Sequence, residues 1–150
     1  FAMVAPVLVK PDHPLYHVDD VMNGILVRGE VIGDLMFYGA GAGKLPTASA
    51  VVADVVDEAC NMDRSIMRRW TKEKLQLENF EACRNQFFVR VKGNTEENWK
   101  SVKELFGETE RIELSGLDEF GFLTEEMEEA VLERKIKDLG CVINRIRVAR

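Results

Sequence analysis

This chain of 150 residues is poor in the residue types that carry most covalent and metal chemistry: three cysteines, two histidines, four prolines and two tryptophans. Cys60, Cys83 and Cys141 are odd in number and far apart. That argues against a disulfide framework and a cysteine-held zinc site, and it suits a reducing cytoplasmic setting. Basic charge is also short. Twenty Lys and Arg stand against 26 Asp and Glu, for a net charge of −6, so there is no electrostatic reason to expect nucleic acid or an anionic membrane as a partner. No apolar run reaches the roughly 20 residues of a membrane-spanning helix, no signal pattern opens the chain, and no repeat or low-complexity tract interrupts it. Initial methionine is absent too. The chain begins at Phe1 inside an apolar stretch that reads as a strand, so it is expected to be a fragment.

What remains is an ordinary globular composition, 46% hydrophobic and 31% charged, enough for one or two small domains with real cores. Its most informative stretch is Gly39-Ala40-Gly41-Ala42-Gly43-Lys44-Leu45-Pro46-Thr47-Ala48-Ser49-Ala50. Three glycines permit positive φ and close approach to the backbone. Thr47 is a good N-cap, and the free N–H groups of a first helical turn favour an anion or polar ligand. The segment therefore reads as strand, bend and helix. Tight packing of the bend and contact with a phosphate-bearing ligand are weighed equally.

Before the bend, Phe1 to Val9 reads as a strand stopped at Lys10-Pro11, and the residues up to Asp20 as an extended loop. Gly24 to Arg28 and Val31 to Tyr38 form an expected hairpin turning at Arg28-Gly29-Glu30. After it, Ala48, Val51, Val52, Val55, Val56 and Ala59 make an apolar stripe at helical spacing. Asn61 to Arg84 turns basic through Arg64, Arg68, Arg69, Lys72 and Lys74, a pattern that fits a solvated linker better than a phosphate patch; Trp70 and Phe80 are expected to be pinned to one domain or the other. From Gln86 a second pattern starts. Phe87 to Val91 reads as a strand, then a helix opened by Asn94 with Glu97 three residues on and stopped at Gly107. Arg111 to Leu114 and Phe120 to Leu123 read as strands. A helix capped by Thr124 comes next, with Glu125, Glu126, Glu128 and Glu129 in its first turns and a stop at Gly140. Cys141 to Val148 closes as a strand. The order β-α-β-β-α-β is ferredoxin-like. The fold class expected is α/β (α+β), a partial mixed sheet with a helix followed by a ferredoxin-like domain, divided as 1–62, a linker 63–85 and 86–150.

Candidate chemistry is sparse. His13 and His17 are four apart, a spacing that can hold a metal on a helix, but Pro14 lies between them and no Glu follows His13. Ordinary loop hydrogen bonds are the preferred reading, and no metal site is assigned. Asp12, Asp19 and Asp20 read as capping and turn residues. Gly43-Lys44 is followed by Leu45, which breaks the P-loop pattern, and the even glycine spacing departs from the dinucleotide fingerprint. No general acid or base pair stands out, so no catalytic residue is assigned.

The residues nonetheless have a familiar order. Val4-Ala5-Pro6-Val7-Leu8-Val9, Asp12-His13-Pro14-Leu15, Asn23-Gly24, Met36-Phe37-Tyr38-Gly39, Gly41-Ala42-Gly43 and Pro46-Thr47-Ala48-Ser49-Ala50-Val51-Val52-Ala53-Asp54 resemble the closing part of homoserine dehydrogenase. The likeness covers roughly the first 60 residues. The remainder of the chain resembles, in element order and position, the ACT regulatory domain appended to many bacterial members. The resemblance implies reduction of aspartate 4-semialdehyde to homoserine with NADPH or NADH, on the route to threonine, methionine and isoleucine. It implies a homodimer built on the sheet that the hairpin joins. It also implies a nucleotide-binding domain and a catalytic lysine preceding Phe1, so that these residues alone are expected to be inactive. Gly43 matches the family's reported cofactor-contacting glycine, with Thr47 as its neighbour. An amino-acid effector such as threonine is implied for the second domain. There this chain has Lys92-Gly93-Asn94-Thr95-Glu96-Glu97 where effector-binding ACT domains carry Asp-x-Pro-Gly, which leaves a purely structural or dimerising domain as the alternative.

Overall fold

A computed structural model describes residues 2–64, 70–113 and 115–149. Arg68 and Arg69 of the basic run, Phe1 at the head of the first expected strand and Leu114 at the end of another lie outside the described residues. The chain divides into two compact units, Pro11–Lys74 and Phe1–Lys10 with Leu75–Arg150.

In the hairpin–helix unit, Pro11–Lys74, strand β2 (Met22–Gly29) pairs antiparallel with β3 (Gly33–Ala40). The turn lies two residues later than the sequence suggests. Gly29 pairs with Gly33, so Glu30, Val31 and Ile32 form a three-residue loop. Gly33, at φ +72°, supplies the left-handed residue that such loops need. Arg28 and Asp34 face each other in the register and form an ion pair at 3.2 Å. Beneath the hairpin the Pro11–Asp20 turns deliver Leu15 and Val18 against Gly24 and Met36. A Cβ added to Gly24 would stand 2.7 Å from Leu15, so the glycine lets the turn pack flush on the strand. Helix α1 (Lys44–Cys60) comes after the bend; it has no buried residue, and Val51, Val52, Val55 and Val56 of its expected stripe are more than half exposed.

The sheet unit holds all the buried side chains found among the described residues. A 3-10 turn (Phe80–Ala82) leads into β4 (Arg84–Lys92), then α2 (Glu96–Phe106), β5 (Arg111–Glu113), β6 (Glu119–Leu123), the two-residue β7 (Met127–Glu128), α3 (Glu129–Leu139) and β8 (Val142–Val148). The strand order β8-β4-β6-β5 with antiparallel pairing is the ferredoxin-like arrangement read from the sequence. Phe87, Val89 and Val91 alternate along β4 toward the helices and meet Phe120, Phe122, Val102, Phe106 and Leu132 in one core. Gly107 (φ +84°) and Gly140 (φ +72°) end the two helices as expected.

Three local expectations are corrected. Thr95, not Asn94, caps α2, its hydroxyl accepting from the Asn98 N–H at 3.2 Å; the Asn94 side-chain oxygen is taken instead by Arg111. Thr124 does not cap α3. It is 2% exposed, and its hydroxyl accepts from the Phe87 N–H at 3.1 Å and donates to the Glu125 carbonyl at 2.7 Å. It thus extends the β4–β6 ladder, while Met127 and Glu128 pair with Asn85 and Arg84 as β7, so α3 starts only at Glu129. Lastly, β1 is Val7–Leu8 alone. It pairs parallel with β8, and the Ala149 N–H donates to the Leu8 carbonyl at 2.8 Å. Clustering of the fold places the segment up to Lys10 with the sheet unit, in keeping with the hydrogen bonding of β1 to β8.

Candidate functional site

The bend between β3 and α1 spans Gly41 to Gly43. Gly43 is the residue before the helix, at φ +110° and ψ 159°, a conformation that an L side chain rarely takes. Among the described residues no side chain caps the helix there. Its first intrahelical bond runs from the Thr47 N–H to the Gly43 carbonyl at 3.2 Å. The N–H groups of Lys44 and Leu45 therefore have no intrahelical acceptor. Pro46, in the first turn, has no N–H to leave unpaired. Among the described residues no side chain meets the donors and positive dipole end of this helix opening, the chemistry that suits an anionic group.

Gly43 and Thr47 are both exposed, and the structure brings them together through that hydrogen bond. Thr47 does so as the fourth helical residue, not as the cap. The cap geometry belongs to Gly43 because a glycine at positive φ can turn the strand into the helix without a side-chain partner. The three glycines differ. A Cβ on Gly39 would meet nothing within 4 Å, whereas one on Gly41 would stand 2.5 Å from the Asn23 side chain. Asn23, opposite Gly39 in the β2–β3 register, is the neighbour that sequence reasoning missed. Seventeen residues lie between it and Gly41, and nothing but the register announces the contact.

The two histidines have loop roles. His13 Nδ1 accepts from the Leu15 N–H at 3.1 Å and His17 packs edge-on to Tyr16 at 4.9 Å. No group of three or more potential metal-ligating side chains is found among the described residues. Burial pushes the Cys141 thiol above the ordinary thiol range; Cys60 is exposed.

In the sheet unit the loop between β4 and α2, over Lys92 to Glu97, is internally bonded. The Gly93 N–H donates to the Asp118 carbonyl at 2.8 Å and the Asn94 N–H to the Asp118 carboxylate at 2.9 Å. Arg111 donates from Nε to Asn94 Oδ1 at 3.1 Å and pairs with Glu96 at 2.6 Å, its guanidinium lying over the Trp99 and Phe120 rings. Elsewhere in this unit Glu129, 2% exposed, receives both Arg147 at 2.6 and 2.9 Å and Asn85 at 3.0 Å. Arg147 also lies over Phe80, which fixes that aromatic to the sheet unit; Trp70 is 88% exposed. A recess of about 380 Å³ opens beside Phe80, Glu81, Glu129 and Glu133, but the buried carboxylate at it is already committed to Arg147 and Asn85. No described helix is long and apolar enough to cross a membrane.

Known proteins bear on both units. The family model for homoserine dehydrogenase matches residues 1–56. A homoserine dehydrogenase from Synechocystis is 57% identical over 88 residues, covering 59% of this chain and 19% of that protein. The crystal structure of a homoserine dehydrogenase from Thiobacillus denitrificans covers 97% of this chain at a TM-score of 0.78 and 24% identity, a likeness of fold, with 38% of its own chain matched. That of S. aureus homoserine dehydrogenase at pH 6.0 covers 95% at a TM-score of 0.64 and 26% identity, with 36% of its chain matched. The chain thus spans 19% of the Synechocystis relative's length and under two fifths of these solved chains. The sequence likeness to homoserine dehydrogenase is carried by residues 1–56 of this chain, where the family model matches.

Proposed function

We propose that these residues are part of an oxidoreductase that reduces aspartate 4-semialdehyde to homoserine with NADPH or NADH, in the cytoplasmic synthesis of threonine, methionine and isoleucine. The observation that carries this reading is the exposed bend at Gly43. A backbone at φ +110° with no Cβ, opening a helix whose first donors lack intrahelical partners, fits close approach of an anionic nucleotide. Gly43 would admit the nucleotide to the main chain. Thr47, tied to the Gly43 carbonyl, would hold the bend's geometry and offer a hydroxyl on the same helix turn. When bound, the nicotinamide supplies the hydride; the role of this segment is orientation. The unburied apolar faces of α1 and the hairpin fit elements that are covered by further parts of a larger, homodimeric enzyme. Tested alone, the 150 residues should show no turnover.

The experiment is made in the complete enzyme carrying these residues. It should oxidise NADPH or NADH in the presence of aspartate 4-semialdehyde, and Gly43→Ala should raise the nucleotide KM with little change in that of the aldehyde. Absence of turnover with either nucleotide overturns the proposal.

A second reading concerns the sheet unit, which closes a core of its own and so suits a separate ACT-like module for amino-acid sensing or dimerisation. Because Asp118 and Arg111 already bond the Lys92–Glu97 loop, dimerisation is the favoured role. Calorimetry with millimolar threonine on the 150-residue chain separates the two, saturable heat supporting sensing.

A further inference from the structure

Asn23 stands on β2 directly across from Gly39, and its carboxamide reaches past that residue to the bend. A Cβ built on Gly41 would lie 2.5 Å from its Nδ2 and 3.3 Å from its Cγ. Among the described residues such a Cβ would meet nothing within 4 Å at Gly39, and at Gly43 it would meet the Pro46 ring at 3.7 Å. Gly43 is glycine for its φ; Gly41, without a positive φ, is glycine for space. The space is filled by Asn23 rather than left open to a ligand. Two glycines in a three-residue connection make the bend costly to hold in one conformation, and a side chain lodged against its middle restricts the path it can take. Asn23 is itself held by the β2–β3 ladder and is exposed.

We infer that Asn23 is a positioning residue whose carboxamide, wedged against Gly41, sets the course of the bend that presents Gly43 to the nicotinamide nucleotide. The inference rests on the nucleotide-binding role proposed for Gly43. An alanine at position 41 would turn the far end of the Asn23 side chain away, so Gly41→Ala and Asn23→Ala should remove the same restraint.

The test is a double-mutant cycle in the complete enzyme carrying these residues. Each single variant should raise the NADPH KM about tenfold, and the double variant should be no worse than the worse single. The semialdehyde KM should hold steady throughout, and Asn23→Leu, which keeps the branched shape of the side chain and adds no charge, should recover most of the affinity. Losses that multiply to about a hundredfold, or a loss that falls on the aldehyde KM, overturn the inference. Thermal unfolding of the same four proteins completes a second cycle that needs no nucleotide. If the unmutated enzyme binds neither NADPH nor NADH, the functional reading fails. The Asn23–Gly41 contact is then judged by melting temperatures alone, additive shifts counting against it.

Discussion

Single residues in this chain do work that their type only partly discloses. Thr124 is the clearest case: it precedes a run of glutamates and looks like a helix cap, yet it is buried and serves β4. Thr124→Val keeps the shape and leaves the Phe87 N–H without its acceptor, so it should cost about 1–3 kcal/mol in urea unfolding. The cysteines offer a chemical contrast. Because burial raises the Cys141 pKa, this thiol carries less thiolate at any pH below that value than an ordinary thiol would. Iodoacetamide at pH 8 should therefore label exposed Cys60 first and Cys141 last. The same shift gives a sign for stability. The folded state keeps the proton longer than the unfolded state, so the contribution of Cys141 is present below the ordinary thiol pKa and is lost as pH rises through the raised one.

At the scale of elements, the sheet unit is anchored by a buried ion pair between α3 and β8. Glu129→Ala would leave Arg147 beside Phe80 and Phe87 without its carboxylate, and should cost about 3–5 kcal/mol. The solvent-exposed Lys100–Glu104 pair within α2 is the control, with Glu104→Ala costing less than about 0.5 kcal/mol. Much of this architecture is legible in the sequence. Gly107 and Gly140 end helices where a left-handed residue must stand, and alternation along Phe87 to Val91 marks a core strand. Thr95 and Asn94 are easily interchanged because both residue types cap helices, and only Arg111, arriving from a distant strand, decides between them. Of the candidate site, the need for a glycine at position 43 can be read from the bend. The contact of Asn23 with Gly41 cannot, since it exists only once the hairpin register is set. Short β1 looks longer in the sequence because apolar composition continues on both sides of the two residues that find a partner.

For the molecule as a whole, burial is uneven. Every buried side chain among the described residues lies in the sheet unit, while the hairpin and α1 expose Ile25, Phe37, Val51, Val52, Val55 and Val56. In the isolated 150-residue chain, hydrogen exchange should therefore protect the amides of β4 and β6 and run fast through β2, β3 and α1. Uniform protection across both units would contradict this division. The pairing of Val7–Leu8 with β8 has a practical outcome for anyone who excises the ferredoxin-like part by sequence position. A truncation starting at Leu75 removes the neighbour of β8 and uncovers a row of backbone donors and acceptors, the template for edge-to-edge association. Such a product should aggregate. A circular permutant that joins residues 1–10 to Arg150 through a linker long enough for the crossover that parallel strands need should stay monodisperse.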